Sequence, residues 1–218
     1  MTPAQEEALQ IVRDFAAELH EVYGWAEETQ GAIIQFGLML KDRAERTNKP
    51  LAGQNFFFSH SDTPPKGSVV QFHHARDAGE LVERSMPDGA NAVRLRQSVL
   101  IYLYTLWEDH LRGELARLAA VAKDAIDSPL FGDLRFYRHA IAHNRGILNR
   151  TPRVLSYVKE GELVSLSTRQ LKALLRETLD EMSRLLLEHF GLTAVVQMDF
   201  KVDLGPGEWT DVEPTTKR

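Results

Sequence analysis

The sequence predicts a mainly α-helical bundle carrying a small β element, and three observations predict it. Apolar residues recur at three- and four-residue spacing through most of the 218 residues, the period of a helix with one buried face. Helix starts and stops stand where that pattern begins and ends: Pro3, Ser128-Pro129, Ser167-Thr168 and Gly191. After residue 150 the period changes to a β-rich pattern around a Lys-Glu-Gly turn, and once more in a short alternating run near the end. With 43% hydrophobic and 26% charged residues the composition is that of an ordinary globular chain, so folding is the expectation.

From Pro3 to about Arg46, Leu9, Val12, Phe15, Ala16 and Leu19 set a helical period, and Gly24 and Gly31 are expected to interrupt or bend it. The stretch "NKPLAGQNFFFSHSDTPPKG" reads as a loop, with "SVVQF" after it as a short strand. Phe56, Phe57 and Phe58 in that loop pin it to the core more readily than they stack bases. The strongest helix is "PDGANAVRLRQSVLIYLYTLWEDHLRGELARLAAVAK", roughly thirty residues and the spine of the bundle, with Trp107 on the core side and Glu108 and Asp109 near solvent. A further helix starts at Ser128-Pro129 and is expected to reach about Leu148. "RVLSYVKEGELVSLS" then has a hairpin signature, Ser167 or Thr168 caps a helix that ends at Gly191, and residues 196–204 alternate as a strand that can join the hairpin. In domain terms residues 1–89 are a helical extension and loop packed on the bundle, residues 90–204 are the bundle with its β element, and residues 205–218 are a flexible tail.

Several function classes fall away. There is no cysteine, hence no disulfide, thiolate metal site or cysteine nucleophile. The N-terminus "MTPAQEEALQ" does not look like a secretory signal, and the apolar run "SVLIYLYTLW" is about half of a membrane span, so a soluble, cytoplasmic protein is expected. Phosphate-binding loops and a G-x-S-x-G elbow are missing, which weakens ATP hydrolysis, dinucleotide binding and serine hydrolysis. The net charge of −5 argues against bulk coating of nucleic acid. Yet residues 128–158 hold five arginines and one acid, a local excess of +4.

That excess surrounds "RFYRHAIAHNRG", residues 135–146. At about 100° per residue with Arg138 at zero, Leu134, Tyr137, Ile141 and Leu148 fall near 260–320°, a core stripe. Arg145 falls near 340°, Arg135 near 60°, His139 near 100° and His143 near 140°, all on one arc beside it. Imidazole can take and return a proton, and guanidinium binds phosphate oxygens and a developing phosphorane charge without metal. Arginine and histidine therefore suffice for RNA cleavage, where the ribose 2′-hydroxyl is the nucleophile; DNA lacks that group. His139 and His143 at i, i+4 could instead hold zinc with a third ligand from His60, His73 or His74, but no Glu lies between them as the common helical zinc motif requires.

"RHAIAH", Arg138 to His143, resembles the R-x4-6-H signature of HEPN domains, and "YLYTLWEDHLRGEL" with "FGDLRFYRHAIAHNRGIL" is similar to HEPN proteins of bacterial defence and toxin systems. The resemblance covers about residues 90 to 190. It implies a helical bundle that pairs as a homodimer, joins two motif copies in a cleft, and cuts RNA without metal or other cofactor. It makes Arg138 and His143 the catalytic pair and His139 the polar residue beside the arginine, with Arg135, Asn144 and Arg145 expected to hold the RNA backbone. It further implies a toxin or antiphage role, with an antitoxin or activator as partner. Other members of the superfamily bind nucleotides or partners without cutting, so a non-catalytic interaction module is the alternative.

Overall fold

The amino-terminal helix begins where the chain supplies its own cap. The Thr2 hydroxyl accepts from the Gln5 N–H and the Gln5 side chain accepts from the Thr2 N–H, with Pro3 in the first turn. In the computed structural model, which describes residues 1–59 and 72–193, α1 then runs unbroken over Pro3–Thr47, 45 residues, to a left-handed Asn48. The interruption expected at Gly24 and Gly31 does not occur. Packing overrides glycine's helix penalty of about 1 kcal/mol: Ala8, Val12, Phe15, Ala16, Leu19 and Ala26 are buried. Gln30, between the two halves, accepts from the buried Arg96 and donates to Thr168 Oγ1. A Cβ at Gly24 or Gly31 would meet nothing within 4 Å. Gly24→Ala and Gly31→Ala are each expected to stabilise the fold by about 0.5–1 kcal/mol, read as a small rise in melting temperature.

Two antiparallel strands follow, β1 (Asn55–Ser59) and β2 (Phe72–Asp77). The aromatic run expected in a loop thus lies in β1, and Phe56 packs edge-on to Phe36 beside a second, small core of Leu40, Leu81 and Val82. Asp77 closes β2 and caps α2 (Ala78–Ser85), accepting from Gly79 and Glu80 N–H with one oxygen and from Gly53 N–H with the other. Foremost among these, the Gly53 bond holds the Asp77 carboxyl below the usual carboxylate range.

The spine helix is two helices joined by a wide turn: α3 (Ala90–Thr105), a π-helical turn over Leu106–Leu111, and α4 (Arg112–Leu118). The pattern of buried residues explains the insertion. Val99, Leu103, Trp107, Leu111 and Leu115 are all buried at a strict four-residue spacing. In a regular α-helix that spacing drifts about 40° per step, and one π turn absorbs the drift so that all of them face the core. Trp107 there stacks on Phe131 at 4.2 Å and 6°.

α5 (Pro129–His143) is capped by Ser128, whose hydroxyl accepts from Phe131 N–H, and α6 (Thr168–Phe190) is capped by Ser167 and closed by a left-handed Gly191. Leucines of α6 meet α1, α3, α4 and α5 in one main core. The hairpin expected after α5 is not formed. Between α5 and α6 only Ile147 and Leu163 bridge, antiparallel, and the backbone N–H of Gly161 and Val164 reach back to Leu148 and Gly146 carbonyls. Four apolar residues of that stretch, Leu155, Val158, Val164 and Leu166, are anchors sunk into the helical core. Among the described residues the small sheet therefore precedes the motif helix. The strand expected over 196–204, the tail from 205, and all of 68–71 lie outside the described residues. Among those described, no helix is long and apolar enough to cross a membrane.

Candidate functional site

α5 positions the basic and imidazole residues by burying its opposite side. Leu130, Phe131, Leu134, Tyr137 and Ala140 are buried, and burial pushes the Tyr137 hydroxyl up to about 12. Arg135, Arg138, His139 and His143 consequently stand exposed on the facing arc. The rings of His139 and His143 lie 5.0 Å apart at 45°. Neither imidazole, and none of Arg135, Arg138 and Arg145, forms an ion pair within the described residues. The site thus carries arginines with no direct carboxylate contact, an arrangement open to the phosphates of a polyanion.

The helix ends earlier than expected, at His143. Asn144 leaves helical geometry, its Nδ2 donates to the Ile147 carbonyl, and Arg145 and Gly146 follow with φ of 52° and 82°. Asn144, expected to contact RNA, spends its amide on closing this turn. Arg145, placed by the helical wheel beside the core stripe, leaves the helix axis altogether and projects exposed from a left-handed position that costs a non-glycine residue about 1 kcal/mol. Gly146 is required for the turn: a Cβ would lie 2.8 Å from Leu163 Cδ1.

Two features of the site were not anticipated. Asp133, fully buried on α5, accepts the backbone N–H of Arg153 with both oxygens and those of Val154 and Leu155 with Oδ2, at 2.7–2.9 Å. It fastens the segment after the motif to the motif helix. On the wheel Asp133 falls at roughly 220°, against the apolar arc, and an acid there was the available signal. On the same helix, Phe136 carries the Arg150 guanidinium over its ring, 5.3 Å from the centre.

The second feature is a cleft of about 550 Å³ between α5 and the π turn. Arg135 and Arg138 line it from α5, together with Tyr104, Glu108, Asp109, Arg112, Asp124 and Asp127. Glu108 is held by Arg112 and by Lys123 Nζ at 2.9 Å. Burial opposes its ionisation, but the bonds from Lys123 and Arg112 prevail and keep its carboxyl low. Burial, then Glu108, raises the Tyr104 hydroxyl against the pull of Arg135, Arg138 and Arg112. His139 and His143 are absent from the cleft lining, so Arg138 sits on the ridge between cleft and imidazoles.

Among the described residues no three His, Asp or Glu side chains gather to hold a metal ion; His60 and the side chains of His73 and His74 lie outside them. Fold and site together define a mainly α-helical protein with an unpaired Arg-His face beside a polar cleft. Compared with protein-family models, curated proteins and solved structures, the chain gives no match to any of the three.

Proposed function

We propose that this protein is a metal-independent endoribonuclease of the HEPN type, cytoplasmic and active as a homodimer. The observation that carries the reading is the exposed face of α5, where two guanidinia without carboxylate partners adjoin two neighbouring imidazoles. In the reaction an imidazole, His143, removes the proton of a ribose 2′-hydroxyl. The 2′-oxygen bonds to the adjacent phosphorus, and the phosphorus–O5′ bond breaks. A proton returns to the leaving O5′, for which His139 is placed. Arg138 neutralises the charge that grows on the phosphoryl oxygens, and Arg135 and Arg145 hold neighbouring phosphates.

Arg138 and His143 are five positions apart and diverge around the helix, so one phosphate reaches both most directly when a second copy supplies one of them. Ile147 and Leu163, exposed and adjoining the end of α5, give that second copy an apolar surface to pack against. A growth-arresting toxin or antiphage effector, restrained by an antitoxin or released by an activator, is the cellular role this activity suits.

The test is cleavage of end-labelled RNA by the purified protein in excess EDTA. Cut products ending in 2′,3′-cyclic phosphate and beginning with a 5′-hydroxyl are expected. Cleavage that EDTA abolishes would replace this reading by metal catalysis, and intact RNA with retained nucleotide binding would favour a non-catalytic module.

A further inference from the structure

The cleft beside Arg138 has a form that RNA backbone binding does not require. Its volume of about 550 Å³ is that of a small-molecule site and accommodates a nucleotide. Its lining carries both signs: Arg135 and Arg138 from α5, and from the π turn Asp109, whose carboxylate forms no ion pair among the described residues. Of the other acids that line it, Glu108 and Asp124 are engaged with Lys123 and Arg112, and Asp127 stands beside Arg184, which donates to its backbone carbonyl.

Gly132 lines the cleft at the end of the first turn of α5. Like the helical Gly24, Gly31 and Gly113 it has no atom within 4 Å of where a Cβ would stand, and of these four it is the one that borders the cleft. The missing side chain leaves open a flat strip of helix backbone, which suits close approach of a planar ring.

We infer that the cleft is a guanine-nucleotide subsite, the phosphate lying on Arg135 and Arg138, the base over Gly132, and the guanine edge on Asp109. The chemistry selects guanine because only its Watson–Crick edge presents two adjacent donors, N1–H and N2–H2, to the two oxygens of one carboxylate. Adenine and cytosine set an acceptor beside the donor, and uracil flanks its single donor with acceptors. The consequence for catalysis, cleavage next to guanosine, rests on the ribonuclease reading; the binding itself does not.

The test is titration of the full-length protein with GMP, IMP, AMP and UMP, followed by Trp fluorescence and calorimetry. GMP is expected to bind about tenfold or more tightly than IMP, which lacks the N2 amino group, and than AMP or UMP. Asp109→Asn should erase the preference while leaving phosphate-driven binding, and Gly132→Leu should abolish binding while the circular dichroism spectrum and melting confirm the fold. Equal affinity for the four nucleotides, no binding at millimolar concentration, or GMP binding unchanged in Gly132→Leu would overturn the proposal. An RNA containing one guanosine among uridines separates the two readings. GMP bound selectively with that RNA left whole removes the nuclease and keeps the subsite, whereas RNA cut without regard to guanosine by a protein blind to GMP removes the subsite and keeps the nuclease.

Discussion

His143→Ala is expected to lower RNA cleavage by about 10²–10⁴-fold, the usual cost of deleting a general acid or base, with no loss of stability. The second half of that expectation follows from placement. The imidazole is exposed in the last turn of α5 beside the ring of His139 and forms no hydrogen bond or ion pair with another described residue, so no buried group is left without a partner when it goes. Arg138→Ala should cost a comparable factor, roughly 10²–10³, through the charge it neutralises. Arg138→Lys should recover little of it, because an ammonium cannot reproduce a planar fork on two phosphoryl oxygens. His139→Ala separates the roles. A loss as deep as that of His143→Ala makes it the proton donor, and a loss near tenfold makes it an orienting neighbour. The measurement is initial rate on one labelled RNA beside melting curves for every variant. Variants that are unfolded, or folded and fully active, would both contradict this assignment.

Asp133→Ala carries the largest expected effect on stability, about 3–4 kcal/mol. One buried carboxylate receives three backbone N–H groups, and its removal strands them, at least one in a fully buried position at Leu155. For a chain of this size the melting temperature should fall by roughly 6–15 °C. Asp133→Asn keeps the shape but turns one acceptor into a donor facing an N–H, so it should be intermediate. Because the same carboxylate ties the segment after the motif to α5, the Asp133→Ala protein should also lose cleavage in proportion to the unfolded fraction as temperature rises. A variant that melts with the parent would show that the segment is held by its buried Leu155 and Val158 alone.

Much of this architecture is legible from residue order because helices announce themselves locally. Thr2-Pro3 with Gln5, Ser128-Pro129 and Ser167 with Gln170 are caps whose partners lie within three residues, and all of them form. The exposed arc of α5 follows in the same way from the 3.6 period up to His143. What depends on distant partners is not legible. Gly24 and Gly31 look like breaks, yet Gln30 between them is bonded to Arg96 and Thr168, 66 and 138 residues away, and the helix passes through. The run from Arg153 to Leu166 reads as two β-rich arms around a turn, but its backbone N–H groups at 153–155 go to Asp133 and its buried apolar residues to a helical core, so the two arms do not pair as a ladder. Arg145 was placed by a wheel that stops two residues before it. The cleft, likewise, depends on a π turn that shows in the sequence only as five apolar residues spaced by four, a pattern also readable as an ordinary helix face.

The central claim is that α5 presents arginine and histidine to a ribose phosphate whose own 2′-hydroxyl is the nucleophile. A pair of end-labelled oligoribonucleotides tests it most directly: one all-ribose, the other with a single 2′-deoxynucleotide at the mapped cut site, both incubated with the protein in EDTA. The all-ribose strand should be cut and the substituted strand should stay whole at that one position while neighbouring sites still react. Equal cleavage of both strands at that position would mean that water or a protein group attacks the phosphorus, and the role given to His143 would be wrong.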